Sequence, residues 1–231
     1  MLNSGSLKIG RIIMSQEQST GCSLPVIVGV SEQINRARLL AKSAAQYDVN
    51  VLLLGETGVG KELFAKTIHL LSPRKAKPFV ALNCSAMPET LLESEIFGYE
   101  RGAFTGANTT KLGRLEMANG GTLFLDEIGE MSISAQCKLL RVLEDEKRFE
   151  RLGGTRSITV DVRIIAATNA DLEKKIAEKT FRRDLFYRLN EISITIPPLS
   201  ERRKDSKQLF YHYIFRSCGR FGKNISAVSP D

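Results

Sequence analysis

Short apolar runs recur along this chain at Val51–Leu54, Phe79–Asn83, Thr122–Leu125, Val162–Thr168 and Ile192–Ile196, each followed by polar or glycine-rich sequence. Runs that stay apolar instead of alternating mark strands buried on both faces. Between them, Leu63–Leu71, Pro88–Phe97 and roughly Ser134–Glu146 space their apolar residues as amphipathic helices do. Strand and helix in alternation predict an α/β fold, a parallel sheet with helices on both faces, and Pro197-Pro198 closes the last strand. Phe149–Val160 reads as a small hairpin turned at Gly153-Gly154, and Leu209, Phe210, Tyr211 and Tyr213 as part of a late amphipathic helix. Residues 1–24, rich in Ser, Gly and Gln, read as a leader or linker, with the ordered domain beginning at Pro25–Gly29.

Two of the strand ends carry chemistry. The run Val51–Leu54 opens directly into Gly55-Glu56-Thr57-Gly58-Val59-Gly60-Lys61-Glu62. Glycines at this spacing let the backbone aim N–H groups at a polyphosphate, Lys61 can reach the β and γ phosphates, and the following helix adds the positive end of its dipole. The general pattern ends in Lys-Ser or Lys-Thr, whose hydroxyl holds Mg²⁺; Glu62 stands in that place, so the metal is held differently or through water. The second strand end is Thr122-Leu123-Phe124-Leu125-Asp126-Glu127, which puts two carboxylates at the carboxyl edge of a parallel sheet. Asp126 suits Mg²⁺, and Glu127 suits polarising the attacking water. Together they predict a site for a nucleoside triphosphate and Mg²⁺.

Composition narrows the class further. In 231 residues, 42% hydrophobic content supports a substantial core, and no apolar run approaches a membrane span or a secretory h-region, which leads us to expect a cytoplasmic chain. Four scattered cysteines and two histidines suggest neither a zinc site nor a disulfide framework. The net charge of +7 is dispersed, and we read no DNA-binding helix pair.

Between the two nucleotide motifs lies Gly102-Ala103-Phe104-Thr105-Gly106-Ala107, one aromatic among small, flexible residues. Physics alone allows two readings: a loop that presents Phe104-Thr105 to a partner, or a surface turn whose Phe folds back onto the domain. At this hexapeptide the chain resembles the bacterial enhancer-binding proteins, the AAA+ activators of sigma-54 RNA polymerase. The resemblance runs from about Val26 to Ser229. It includes Asn83-Cys84, Leu91–Glu95, Gly120–Glu130, Ala167-Thr168-Asn169, Tyr187–Asn190, and a Glu after the loop lysine, as at Glu62.

The resemblance implies a P-loop three-layer sandwich that assembles into a hexameric ring, with ATP between subunits, and drives the Phe104-Thr105 loop against the sigma-54 RNA polymerase holoenzyme to open a closed promoter complex. It implies that Asn83 is a switch holding Glu127 away, that Asn169 senses the γ-phosphate, and that Arg182 and Arg188 are fingers reaching a neighbour's site. On residue type alone, those arginines read first as a basic helix face pairing with Asp184 and Glu191. Val28 and Gly29 fall where the family places adenine. The core is expected over 25–200, and residues 201–231 as the start of a truncated helical lid. Here the family's Arg-Glu-Arg after Pro-Pro-Leu becomes Ser200-Glu201-Arg202, and its lid motif and second sensor arginine are not found. A non-hydrolysing module that binds ATP or sigma-54 is therefore the alternative to an active motor.

Overall fold

A computed structural model describes residues 25–144 and 146–223. The expected leader over 1–24, and the expected lid sequence beyond residue 223, lie outside the described residues. Among the described residues, strands β1 (Val51–Leu54), β2 (Phe79–Asn83), β5 (Thr122–Asp126), β8 (Arg163–Thr168) and β9 (Ile192–Thr195) form a five-stranded sheet in the order β2-β5-β8-β1-β9. Every pairing in it is parallel.

Side chains of a strand alternate between the sheet's two faces, and both faces here are packed. Leu52, Leu82, Leu123, Leu125, Ile164 and Ala166 point into one apolar layer. That layer is filled from helices α3 (Glu89–Phe97), α4 (Arg114–Met117), α5 (Ile133–Leu143) and α7 (Arg183–Leu189). Val51, Leu53, Phe124, Ile165, Ala167 and Ile194 point into the other, filled from α1 (Glu32–Ala45) and α2 (Lys61–Leu70). The continuous apolar runs read as strands are therefore the middle layer of a three-layer sandwich.

Helix α1 has no counterpart in the sequence reading. Its buried stripe is Ile34, Ala37, Ala41, Ala44 and Ala45, and alanine contrasts too weakly with polar neighbours to announce a buried face. It starts at Ser31, whose Oγ accepts from the Ile34 N–H at 3.5 Å. Helix α5 starts the same way, with Ser132 Oγ accepting from the Ala135 N–H at 3.3 Å. Helix α6 (Leu172–Ala177) follows β8, and α8 (Arg203–Phe221) contains the expected late amphipathic segment.

Strand order is what builds the site. Because β8 lies between β1 and β5, its end emerges between the phosphate loop that follows β1 and the acids that end β5. The Gly55 N–H donates to Thr168 O at 3.2 Å, fastening loop to β8. Two short hairpins stand apart from the sheet: β3 (Gly98–Tyr99) with β4 (Lys111–Leu112), and β6 (Arg148–Glu150) with β7 (Ser157–Thr159). The second is the hairpin expected around Gly153-Gly154. The segment between β3 and β4 carries the Phe104 hexapeptide. No helix among the described residues is long and apolar enough to cross a membrane.

Candidate functional site

The phosphate loop turns from β1 into α2 through Gly58 and Gly60, whose φ angles of 83° and 105° are in the region that favours glycine. Lys61 is the first residue of α2 and its side chain is 6% exposed. Its ammonium donates to Gly55 O at 2.9 Å, to Glu56 O at 3.3 Å and to Glu127 Oε1 at 3.2 Å. Glu62 is exposed and pairs with Lys66 at 2.6 Å, so its carboxylate lies along the helix surface one turn onward.

Asp126 ends β5 and Glu127 follows at φ 53°, ψ 49°. A left-handed conformation in a residue with a side chain costs of order 1 kcal/mol, and such strain collects where a side chain must be aimed. Glu127 is held on both oxygens, Oε1 by Lys61 and Oε2 by the Asn169 N–H at 3.1 Å. Asn169 also donates from Nδ2 to Thr57 Oγ1 at 3.0 Å, so one residue after β8 touches both the phosphate loop and Glu127. Burial first, and the Glu127 charge second, push the Asp126 carboxyl above the usual aspartate range. A carboxylate short of positive charge is a good partner for a divalent cation. Among the described residues no group of three or more His, Cys, Asp or Glu side chains converges, so the protein offers one or two carboxylates. That is the donor set Mg²⁺ uses when phosphate oxygens and water complete its shell.

Asn83 was expected to hold Glu127. In the structure its Nδ2 donates to Asp126 Oδ2 at 3.4 Å, while its Oδ1 accepts from the Ser85 N–H at 2.9 Å and from Ser85 Oγ at 2.8 Å. The parallel register sets Asn83 opposite Asp126, one residue short of Glu127. A cleft of about 1470 Å³ adjoins the loop, with Glu56–Gly60 on one wall, Val26–Val28 on another, and Leu209 and Tyr213 of α8 across it. Val28 therefore faces the cleft. Gly29 lies behind the wall, packed against Asp205.

Arg182 and Arg188 lie on or beside α7, and among the described residues no hydrogen bond joins either side chain to the phosphate loop of this chain. Arg182 donates from Nε to Asp184 Oδ1 at 3.0 Å, from Nη2 to Oδ2 at 2.5 Å, and from Nη1 to Cys137 Sγ at 3.0 Å. Arg188 is exposed, and Glu191 bonds Asn50. The expected pairing with Asp184 is thus present, and one with Glu191 is not. Sequence reasoning missed Gln136. Its fully buried amide on α5 accepts from the Arg182 N–H at 2.8 Å and donates to Thr180 O at 3.0 Å and Met131 O at 2.7 Å. Only its polarity on the buried face of an amphipathic helix could have signalled it.

The hexapeptide is a tight turn: Gly102 N–H donates to Ala107 O at 2.8 Å, and Ala107 N–H to Phe104 O at 3.0 Å. Phe104 meets Tyr99 edge to face, ring centres 5.0 Å apart, yet remains 46% exposed. The ring therefore leans back on the hairpin, as the second reading expects, and still offers an apolar face to solvent. The second hairpin props it. Arg151 bonds Glu116 at 2.8 and 2.6 Å and Glu100 at 2.7 Å, and Gly153 abuts Ala103 closely enough that a Cβ there would lie 2.6 Å from the Ala103 Cβ.

Comparison with known proteins agrees with this geometry. The family model described as the Sigma-54 interaction domain matches residues 27–195. The Nif-specific regulatory protein of Herbaspirillum seropedicae is 50% identical over 217 residues, covering 94% of this chain and 40% of that protein. The formate hydrogenlyase transcriptional activator FhlA of Escherichia coli K12 is 50% identical over 205 residues, covering 89% of this chain and 30% of its own length. The chain thus spans well under half the length of these curated relatives. The crystal structure of NtrX from Brucella abortus in complex with ATP aligns with a TM-score of 0.82 at 36% identity, over 98% of this chain and 47% of that one. The P-loop NTPase domain of a sigma-54 activator from E. coli aligns at 0.52 and 22% identity, over 74% of this chain and 99% of that one, a likeness of fold alone. With the phosphate loop, the acidic strand end and the Phe104 hairpin all in place, this chain belongs to the Sigma-54 interaction domain family, the AAA+ P-loop nucleotide-binding domains of bacterial transcription activators.

Proposed function

We propose that this chain is a Mg²⁺-dependent ATPase motor that remodels closed complexes of sigma-54 RNA polymerase, acting in the cytoplasm as a hexameric ring. The observation that carries the reading is the convergence of Lys61, Asp126, Glu127 and Asn169 at one sheet edge, beside a half-exposed aromatic on a separate hairpin. The ATP bound by NtrX supports it as well.

The roles follow from what each group is bonded to. The Lys61 ammonium exchanges Glu127 Oε1 for phosphate oxygens, a stronger partner with more charge. Glu127 Oε1 then becomes free to accept the proton of the attacking water, while the Asn169 N–H keeps Oε2 aimed. Asn169 Nδ2, already beside the phosphate loop, reads the γ-phosphate. Asp126 would hold Mg²⁺, and the ion would supply charge neutralisation to the triphosphate. Asn83 acts through Asp126, so its switching moves the metal ligand and only through it the acid. Arg182 and Arg188 serve a neighbouring subunit's site, Arg182 exchanging Asp184 for phosphate. Residues 102–107 contact sigma-54, with Phe104 as the anchor.

The test is steady-state ATP hydrolysis against protein concentration, with Glu127→Gln and Arg182→Ala as controls. Specific activity that rises with concentration and is lost in both variants supports a ring-forming motor. Nucleotide binding without turnover at any concentration refutes the motor and leaves a binding module.

A further inference from the structure

One wall of the cleft that adjoins the phosphate loop is irregular backbone. Residues 25–30 join no strand or helix, although Pro25, Val26, Ile27 and Val28 line the cleft. A segment without a hydrogen-bond ladder is placed by whatever satisfies its polar groups. Here these are side chains from two helices, α1 immediately after the segment and α8 far along the chain. From α1, Arg38 donates to Ile27 O at 3.1 Å and to Gly29 O at 2.8 Å, and its Nη2 also bonds Asn35 Oδ1. Asn35 in turn donates to Val30 O at 3.1 Å. From α8, Asp205 Oδ1 accepts from the Val30 N–H at 2.7 Å and the Ser31 N–H at 2.8 Å, and Oδ2 accepts from Ser31 Oγ at 2.7 Å.

Asp205 is completely buried, 174 residues along the chain from Ser31, and its local ionic partner is Arg202 at 4.0 Å. Arg202 is itself 7% exposed and reaches the phosphate loop, donating to Val59 O at 3.4 Å and to Pro197 O at 3.1 Å. Burial works against the Asp205 charge, but the Ser31 hydroxyl, the two N–H groups and Arg202 outweigh it and keep the carboxyl ionised below the usual aspartate range. Gly29 completes the fit: a Cβ there would lie 2.7 Å from Asp205 Oδ2 and 2.8 Å from the Ile34 side chain.

Resting on the nucleotide-binding reading above, we propose that Asp205 and Arg38 are positioning residues for the nucleobase, clamping residues 27–31 through their N–H and C=O groups respectively. The wall they hold in register presents its backbone edge and apolar side chains to a planar base. Its position is set through the root of α8, so base recognition and the docking of that helix are one event. The phosphate loop is continuous with β1 and bonded to β8 through the Gly55 N–H, and its tie to the clamp is the single 3.4 Å bond from Arg202, so the clamp bears on the base more than on the phosphates.

Binding of ATP, GTP and inorganic tripolyphosphate to the full chain, and to its Asp205→Asn and Arg38→Gln variants, tests this by calorimetry. The expected result is a loss of ATP affinity of about fivefold or more in each variant, a smaller ATP-over-GTP preference, and tripolyphosphate affinity within about twofold of the unaltered chain. Equal losses for ATP and tripolyphosphate, or no loss for either, overturn the inference. Arg38 is only half-buried, so Arg38→Gln decides the matter if Asp205→Asn does not fold. Should the unaltered chain bind neither ATP nor tripolyphosphate, the nucleotide reading itself is overturned; should it bind both equally, only the base wall is.

Discussion

Replacing Gln136 with Met removes a buried amide while nearly keeping its volume, and so isolates three hydrogen bonds. Each buried group deprived of its partner costs about 1–3 kcal/mol. Thr180 is exposed, so water can take over its carbonyl; the Arg182 N–H and the Met131 carbonyl are the groups left wanting. The more favourable burial of a thioether returns part of the loss, leaving an expected destabilisation of about 3 kcal/mol, which for a domain of this size lowers Tm by roughly 6–12 °C. Urea unfolding gives the free energy directly. The loss has a functional side, because the Arg182 N–H bonded to Gln136 sets where α7 begins and where that guanidinium stands. Hydrolysis that depends on protein concentration should fall while the affinity for ATP stays put. A loss of stability below about 1 kcal/mol, or unchanged activity at every concentration, would show that the Arg182 segment is held by something other than Gln136.

Phe104→Ala should leave nucleotide affinity unchanged and cost no more than about 1 kcal/mol of stability, since the ring is half-exposed; binding to sigma-54 in a pull-down with a transition-state analogue should be lost, and retained binding removes Phe104 as the anchor. His69 is buried beside Phe79, accepts or donates at Thr122 Oγ1 3.0 Å away, and is pushed below its ordinary value of 6.5 by burial and by the Arg163 charge. The unfolded chain therefore takes up the proton first, so stability should fall as pH drops below about 6.5 and level off beneath the folded-state value. Chemical denaturation at pH 7.5 and 5.5 should show a smaller drop in His69→Gln, and an equal drop assigns the acid sensitivity elsewhere. Burial, then the nearby Asp126 and Glu127 charges, push the Cys84 thiol up to about 12, so alkylation at pH 8 followed by peptide mapping should leave it unmodified until urea unfolds the chain. Rapid native labelling of Cys84 would contradict its burial.

The parts of this fold that were legible in the sequence are those coded by neighbours. A continuous apolar run specifies a doubly buried strand, and Phe79–Asn83 occupies the limits read for it. Ser-capped amphipathic α5 came within a few residues, though its end falls at Leu143 because the chain turns there toward β6. The alanine-faced α1 was invisible for want of contrast. At the site, Lys61, Asp126 and Glu127 were identified because glycine spacing and a strand ending in acids are local chemistry. The role of Gln136 and the clamp on Ile27–Ser31 were not, because a buried glutamine or aspartate looks like any surface one until its partners arrive from elsewhere in the chain.

What this sequence determined alone is the five strands of the sheet, the phosphate loop, the acid pair and the aromatic turn, since each is written within a dozen residues and enforced by backbone sterics and side-chain periodicity. Only the tertiary structure decided that β8 runs between β1 and β5, that Asn83 faces Asp126 instead of Glu127, and that Arg182 rests on Asp184. Those outcomes depend on register and strand order. Register and order are chosen by burying both faces of the sheet at once, a free energy that belongs to the packed layers and to no single stretch of chain.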